Sequence, residues 1–246
     1  MADADWNNAA AVTNSAQIVA NWEARSARLR AEHKASMDLR YGAAERNRID
    51  LFAGGADAPL LAFIHGGYWQ ARSKEVFSFI AEGPLAWGIN VALIGYTLAP
   101  QKRLDGIVAE IRAALDWLQQ NYRNRLILSG WSAGGHLTAM AMDHPAVSGG
   151  LAISGIYDLE PIRHCYVNEK LGLDEAEARR NSPGPTQKPL ILAYGADELP
   201  NLRTQSEDYA RRLERAALAL AGHNHFTILE ELAARDGALT AVVRRL

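Results

Sequence analysis

A series of apolar runs, each stopped by glycine or proline, limits what this chain can fold into. They are "PLLAFIHGG" (59–67), "NVALIGYTLAP" (90–100), "RLILSG" (125–130), "GGLAISG" (149–155) and "PLILAYG" (189–195). Each is too short for a buried helix and too continuous for a half-exposed strand. Such runs are strands covered on both faces, as in parallel sheets. Between them lie helical patterns. Residues 104–121 carry Ile107, Ile111, Leu115 and Leu118 at the spacing of one helix face. Further helices are expected over 73–87, 133–142, 202–215 and 227–245. "MDLRYG" (37–42) and "RNRIDLFAG" (46–54) read as two strands joined by a tight turn, adding an antiparallel edge. "ALALA" (217–221) reads as a last strand, although it lacks the β-branched residues usual in strands. The expected fold class is α/β: a mostly parallel sheet of about eight strands with helices on both faces.

A chain of 246 residues with 48% hydrophobic content can bury one large core. No repeat or linker divides it. The reading is one domain over 1–246, with the irregular stretch 156–187 as a small cap or insertion. Net charge is −2, and no run of five like charges occurs. That excludes the basic surface needed for nucleic acid or an anionic membrane. The mixed "RSARLR" segment (Arg25 to Arg30) reads as a solvated helix face. No run of 18 apolar residues is present to span a bilayer. The first thirty residues carry early aspartates and lack the basic start and apolar core of a signal peptide. Cys165 is the only cysteine, so no intrachain disulfide can form. The expectation is a soluble cytoplasmic protein whose partner is a small molecule, with a homodimer compatible with this composition.

In parallel sheets, sites gather beyond the carboxyl ends of the strands. There, "GWSAG" places Ser132 between Gly130 and Gly134, directly after a strand and before a helix. That suits a strained turn that exposes a nucleophilic hydroxyl. A serine needs a base, a group to orient the base, and donors for an oxyanion. The donors expected are the N–H groups of Gly67 and Tyr68 in "IHGGYWQ", joined by that of Ala133 at the helix start. His65 is expected to brace this loop. The acid should follow the serine and the base should come last. Asp197, two residues past a strand end, is the chosen acid; Glu198 is the alternative and Asp158 a weaker one that could equally cap a helix. In "GHNHF", His225 is followed by Phe226, which would anchor it, and His223 is its competitor. The remaining histidines read as surface or packing residues. "HNH" does not extend into a metal-ligand pattern, and no phosphate loop, GxGxxG, HExxH or CxxC motif is present. No metal or cofactor is expected.

Together "HGGYWQ", "GWSAGGHL", "YTLAP", "SGIYDLEPI", "YVNEKLGLDEAEARRNSP", "YGADELP" and "HNHFTILEEL" resemble the arylformamidase (kynurenine formamidase) branch of the α/β-hydrolase superfamily. This branch lies near the hormone-sensitive-lipase-like esterases. The resemblance runs from about Trp22 to the C-terminus. It implies an α/β-hydrolase fold, with Ser132 as nucleophile, Asp197 as acid and His225 as base. It implies hydrolysis of an N-formyl arylamine such as N-formylkynurenine, with a carboxylesterase on small aryl or alkyl esters as the alternative. By motif position Trp69, Trp131 and Tyr166, with Tyr68, would wall the aryl pocket. Trp69 and Trp131 could equally be core aromatics.

Overall fold

The structure, a computed structural model, describes residues 3–246. Its eight strands are β1 (Ala35–Arg40), β2 (Arg48–Phe52), β3 (Leu60–Ile64), β4 (Asn90–Ile94), β5 (Leu126–Trp131), β6 (Val147–Ile153), β7 (Leu190–Gly195) and β8 (Leu218–Leu220). They form one sheet in the order β1-β2-β4-β3-β5-β6-β7-β8. The β1–β2 and β2–β4 pairs are antiparallel, and the pairs from β4 through β3 to β8 are parallel. The expected fold class is therefore the observed one, and all eight expected strands are present.

The central strands divide their side chains between two cores, because successive residues of a strand point to opposite faces. Leu60, Ala62 and Ile64 enter one core, with Leu104, Ile107, Ile111, Leu115 and Leu118 of the helix Leu104–Asn121. Leu61 and Phe63 enter the other, with Trp22 of the helix Ser15–Glu32 and Leu239 and Val243 of the helix Ala238–Arg245. The edge strand β1 instead alternates partly buried and exposed residues, as a strand wet on one face should.

Three local expectations change. The helix expected over 73–87 is a 3-10 helix, Lys74–Ala81, running into the short α-helix Glu82–Leu85. The stretch expected as one helix over 227–245 breaks into Thr227–Leu229, Glu230–Ala233 and Ala238–Arg245. Residues 234–237, including Gly237, interrupt it. The "RSARLR" face is not simply solvated. Arg25 reaches Glu82 (2.6 Å) and Glu230 (2.7 Å), and Arg30 pairs with Asp50 of β2. The mixed composition of the segment suggested a solvated face, but the acids that meet these arginines are remote in sequence.

Asp50 is fully buried and is the anchor of that contact. Besides Arg30, it accepts from Lys74 Nζ (2.8 Å) and from the backbone N–H of Asp38 (2.8 Å). One carboxylate thus ties the helix Ser15–Glu32 and the 3-10 helix Lys74–Ala81 to the sheet edge. Removing one partner from a buried charged cluster leaves the others desolvated and unpaired. Asp50→Ala should therefore lower unfolding free energy in urea by about 3–5 kcal/mol. Arg112→Ala, which removes the exposed Arg112–Asp143 pair, should change it by less than about 1 kcal/mol.

Candidate active site

Strand β5 ends at Trp131, and Ser132 follows at φ 57°, ψ −119° before the helix Ala133–Met140 begins. A positive φ at a non-glycine residue costs on the order of 1–3 kcal/mol and persists only where its surroundings enforce it. Here the Ser132 N–H donates to Ile153 O of β6 (2.8 Å), and the helix turns back hard against the sheet. A Cβ at Gly130 would lie 2.3 Å from Gly134 O, and one at Gly134 would lie 2.0 Å from Ile64 O of β3. Glycine at both positions is what lets the helix cross this closely. The turn presents the Ser132 hydroxyl at the carboxyl edge of the sheet, and the first helical N–H, that of Ala133, has no intrahelical acceptor.

His225 Nε2 lies 3.1 Å from Ser132 Oγ, and His225 Nδ1 lies 3.1 Å from Glu198 Oε2. Because a carboxylate only accepts, Nδ1 carries the proton and Nε2 accepts from the serine hydroxyl. The other oxygen of Glu198 accepts from Ser154 Oγ (2.5 Å) and from Gly195 N–H (2.7 Å). Its side chain is fully buried. A buried carboxylate is tolerable only with such a set of donors.

The acid expected in this place was Asp197, and the geometry corrects that choice to the alternative, Glu198. Asp197 is exposed, and its N–H is held by His223 O (3.0 Å) in the turn after β7. The next residue turns inward: Glu198 N–H bonds Gly195 O (3.1 Å). Nothing in "GADELP" separates the two carboxylates by pattern, since side-chain direction in a turn follows local dihedrals and not a period. Asp158 is not bonded to His225 either; its Oδ1 accepts from Glu160 N–H (3.0 Å), a local turn contact just before the 3-10 helix Pro161–His164, whose N-cap is Glu160. Of the two histidines, His223 bonds Thr227 O (3.1 Å) and Glu231 (3.2 Å).

The loop that carries His225 is pinned from both sides. Asn224 Oδ1 accepts from the N–H groups of Phe226 (2.9 Å) and Thr227 (3.0 Å). Trp131 Nε1 donates to His225 O (2.7 Å), and its ring lies 4.7 Å from the imidazole. Phe226 packs against Trp22 and Trp131.

Opposite the serine, Gly67, Tyr68 and Trp69 all have positive φ (115°, 51° and 59°), so the loop after β3 coils tightly. Gly67, Tyr68, Trp131, Ser132, Tyr166 and His225 line one cleft of about 360 Å³. Trp69, expected on its wall, is instead fully buried behind the loop. Its Nε1 donates to His136 Nδ1 (3.2 Å), and His136 Nε2 bonds Asn181 O (2.7 Å). Tyr68 and Trp69 are adjacent, yet Tyr68 lines the cleft and Trp69 lies in the core. His65 holds the loop start through Nδ1 to Gly66 O (2.8 Å) and stacks on Tyr96 at 4.3 Å. One wall had no counterpart in the sequence reading: Asn7, Asn8 and Ala9 also line the cleft. They are sealed to it through Tyr68, whose hydroxyl donates to Trp6 O (2.5 Å). Among the described residues, no three His, Cys, Asp or Glu side chains converge as a metal site.

The BD-FAE family model matches residues 52–148. A kynurenine formamidase from Danio rerio is 34% identical, the alignment covering 89% of this chain and 84% of that protein. The chain belongs to the kynurenine formamidase family. The family's Drosophila melanogaster member is 29% identical over 85% of this chain and 80% of its own length. A solved Silicibacter protein superposes with a TM-score of 0.93, at 29% identity and 98% coverage of both chains. An esterase from Pyrobaculum calidifontis superposes with a TM-score of 0.70 at 18% identity, over 93% of this chain and 91% of that one. The fold is that of the α/β-hydrolases, and the chain is a hydrolase of that type. Among the described residues no helix is long and apolar enough to cross a membrane.

Two outcomes follow for solution work. Glu198→Gln should lower kcat/KM for p-nitrophenyl acetate by about a thousandfold or more, whereas Asp197→Asn should stay within about twofold of wild type, both read in steady-state assays. Burial lowers the pKa of both His65 and His136 to about 4, below the ordinary value of about 6.5. The unfolded chain therefore binds more protons between those values, and stability present above pH 6.5 is lost as pH falls toward 4. Urea midpoints across that window should fall, and His136→Gln should flatten the slope.

Proposed function

We propose that this protein hydrolyses the formamide bond of an N-formyl arylamine of the N-formylkynurenine type, with Ser132 as nucleophile. The observation that carries this reading is the buried chain Ser132–His225–Glu198 opening into a cleft, in a member of the kynurenine formamidase family. Ser132 Oγ attacks the formyl carbon as His225 Nε2 takes its proton. The oxygen that gains charge is met by the N–H groups of Gly67, Tyr68 and Ala133. Glu198 stabilises the imidazolium and keeps its Nδ1–H aimed inward. The imidazolium then gives its proton to the departing arylamine nitrogen, leaving a formyl-serine ester. A water, deprotonated by His225, attacks that ester; formate leaves and the serine recovers its proton.

The cleft suits such a substrate. Tyr68, Trp131, Tyr166 and Phe226 supply aromatic wall, while the exposed Arg72, Glu169 and Lys170 supply charge of both signs. An aryl ring carrying an amino-acid side chain needs both. Glu169 and Lys170 come from the stretch 156–187, which we assign as the cap of this site. The same groups would cleave a small aryl or alkyl ester, and the esterase-like fold favours that as the second reading.

Purified protein assayed with N-formylkynurenine and with p-nitrophenyl acetate separates the two. A higher kcat/KM for the formamide, reduced by at least about a thousandfold in Ser132→Ala, supports the formamidase reading. Ester turnover without formamide turnover assigns the site to the esterases.

A further inference from the structure

We infer that Arg72 determines specificity in this cleft, its guanidinium taking the α-carboxylate of the amino-acid chain on the substrate's aryl half. The inference rests on the reading of the cleft as an N-formylkynurenine-type site, and on one cation that the fold leaves unspent.

The neighbouring cations are engaged. Arg46 donates to Tyr96 O (2.8 Å) and to Arg72 O (2.6 Å). Lys74 Nζ is held by Asp38 (2.8 Å), Asp50 (2.8 Å) and Glu75 (2.6 Å). Arg72 is exposed and lines the cleft, and its guanidinium has no hydrogen-bond or ion-pair partner among the described residues.

The backbone sets where this charge stands. Gly67 O accepts from Gln70 N–H (3.1 Å) and Ala71 N–H (3.0 Å), closing the loop into a turn. Arg72 follows at φ 72°, a left-handed dihedral uncommon outside glycine, with its carbonyl held by Arg46. A Cβ at Gly67 would lie 2.9 Å from Arg72 Cγ. The arginine stem therefore runs against the glycine assigned to the oxyanion, which ties the guanidinium to the reacting end of the cleft. A planar guanidinium is completed best by a carboxylate, through two parallel N–H···O bonds. The amino-acid chain that separates a kynurenine-type substrate from a plain arylamine carries one. Lys170, the other cation of the cleft, is a point charge beside Glu169 on the one-turn helix Asn168–Leu171 and lacks that fork.

The test is calorimetric binding of kynurenine and of kynurenamine, which needs no turnover. Kynurenamine keeps the aryl amine, the ketone and the ammonium but lacks the carboxylate, so contacts to the shared groups cancel in the ratio. Wild type, Arg72→Asn, Arg72→Lys and Lys170→Gln are compared. Asparagine tolerates a positive φ, so that variant removes the guanidinium without new backbone strain. Wild type should bind kynurenine more tightly than kynurenamine, and less so as ionic strength rises. Arg72→Asn should cut the preference by roughly tenfold, and Arg72→Lys should keep part of it. No binding of kynurenine, no preference in wild type, or a preference unchanged in Arg72→Asn overturns the inference. Loss in Lys170→Gln but not in Arg72→Asn places the carboxylate on the cap and overturns it as well. The reaction is judged separately, on N-formylkynurenine. An Arg72-dependent preference in a protein that does not cleave that formamide overturns the proposed reaction alone; cleavage with a preference indifferent to Arg72 overturns this inference alone.

Discussion

The close crossing of the helix Ala133–Met140 over the carboxyl ends of β3 and β5 is the constraint on which the rest of the site depends. It brings Gly134 against the Ile64 carbonyl and leaves no room for a side chain at either glycine of the turn. Ser132 is thereby held at a dihedral that a free chain would avoid. The strain aims its hydroxyl outward, while the Ala133 N–H and the loop after β3 share the same small volume. Everything else in the site is arranged around a hydroxyl that cannot move away.

Around that point the polar groups are satisfied in layers. Glu198 is buried but takes donors from His225, Ser154 and Gly195. Trp131 closes the underside of His225 through both its ring and its indole N–H. His65 and His136 support the loop from behind as neutral rings. Their depressed pKa values make them structural groups, since burial disfavours the protonated ring in both places. The front wall is different in kind. It is a short segment from the start of the chain, held by the Tyr68 hydroxyl and by the Tyr166 N–H on Asp3 (2.9 Å).

Much of this was legible from the residues. The apolar runs read as strands because a strand buried on both faces has no polar position to show. The serine turn was legible because two glycines must sit where backbones collide. His225 was legible because an aromatic follows it and packs into the core. The choice between Asp197 and Glu198 was not, since a turn has no repeat by which to assign inward and outward positions. Nor was the choice between Trp69 and Trp131. Both are buried aromatics within two residues of a glycine, and only the path of the loop after β3 turns Trp69 away toward His136. Residues 3–11 offered no chemistry-bearing motif, and the contacts of Trp6 with Tyr68 and of Asp3 with Tyr166 span 62 and 163 residues of chain.

The sequence by itself determined the sheet, its edges, the serine turn and the loop facing it, because hydrophobic period and glycine sterics act locally. The tertiary structure decided which carboxylate meets His225, which aromatics face the cleft, and that an asparagine near the start of the chain lines it. Those choices depend on the direction of individual side chains in turns and on contacts between distant segments. Neither leaves a periodic trace, and both are settled only when the chain closes on itself.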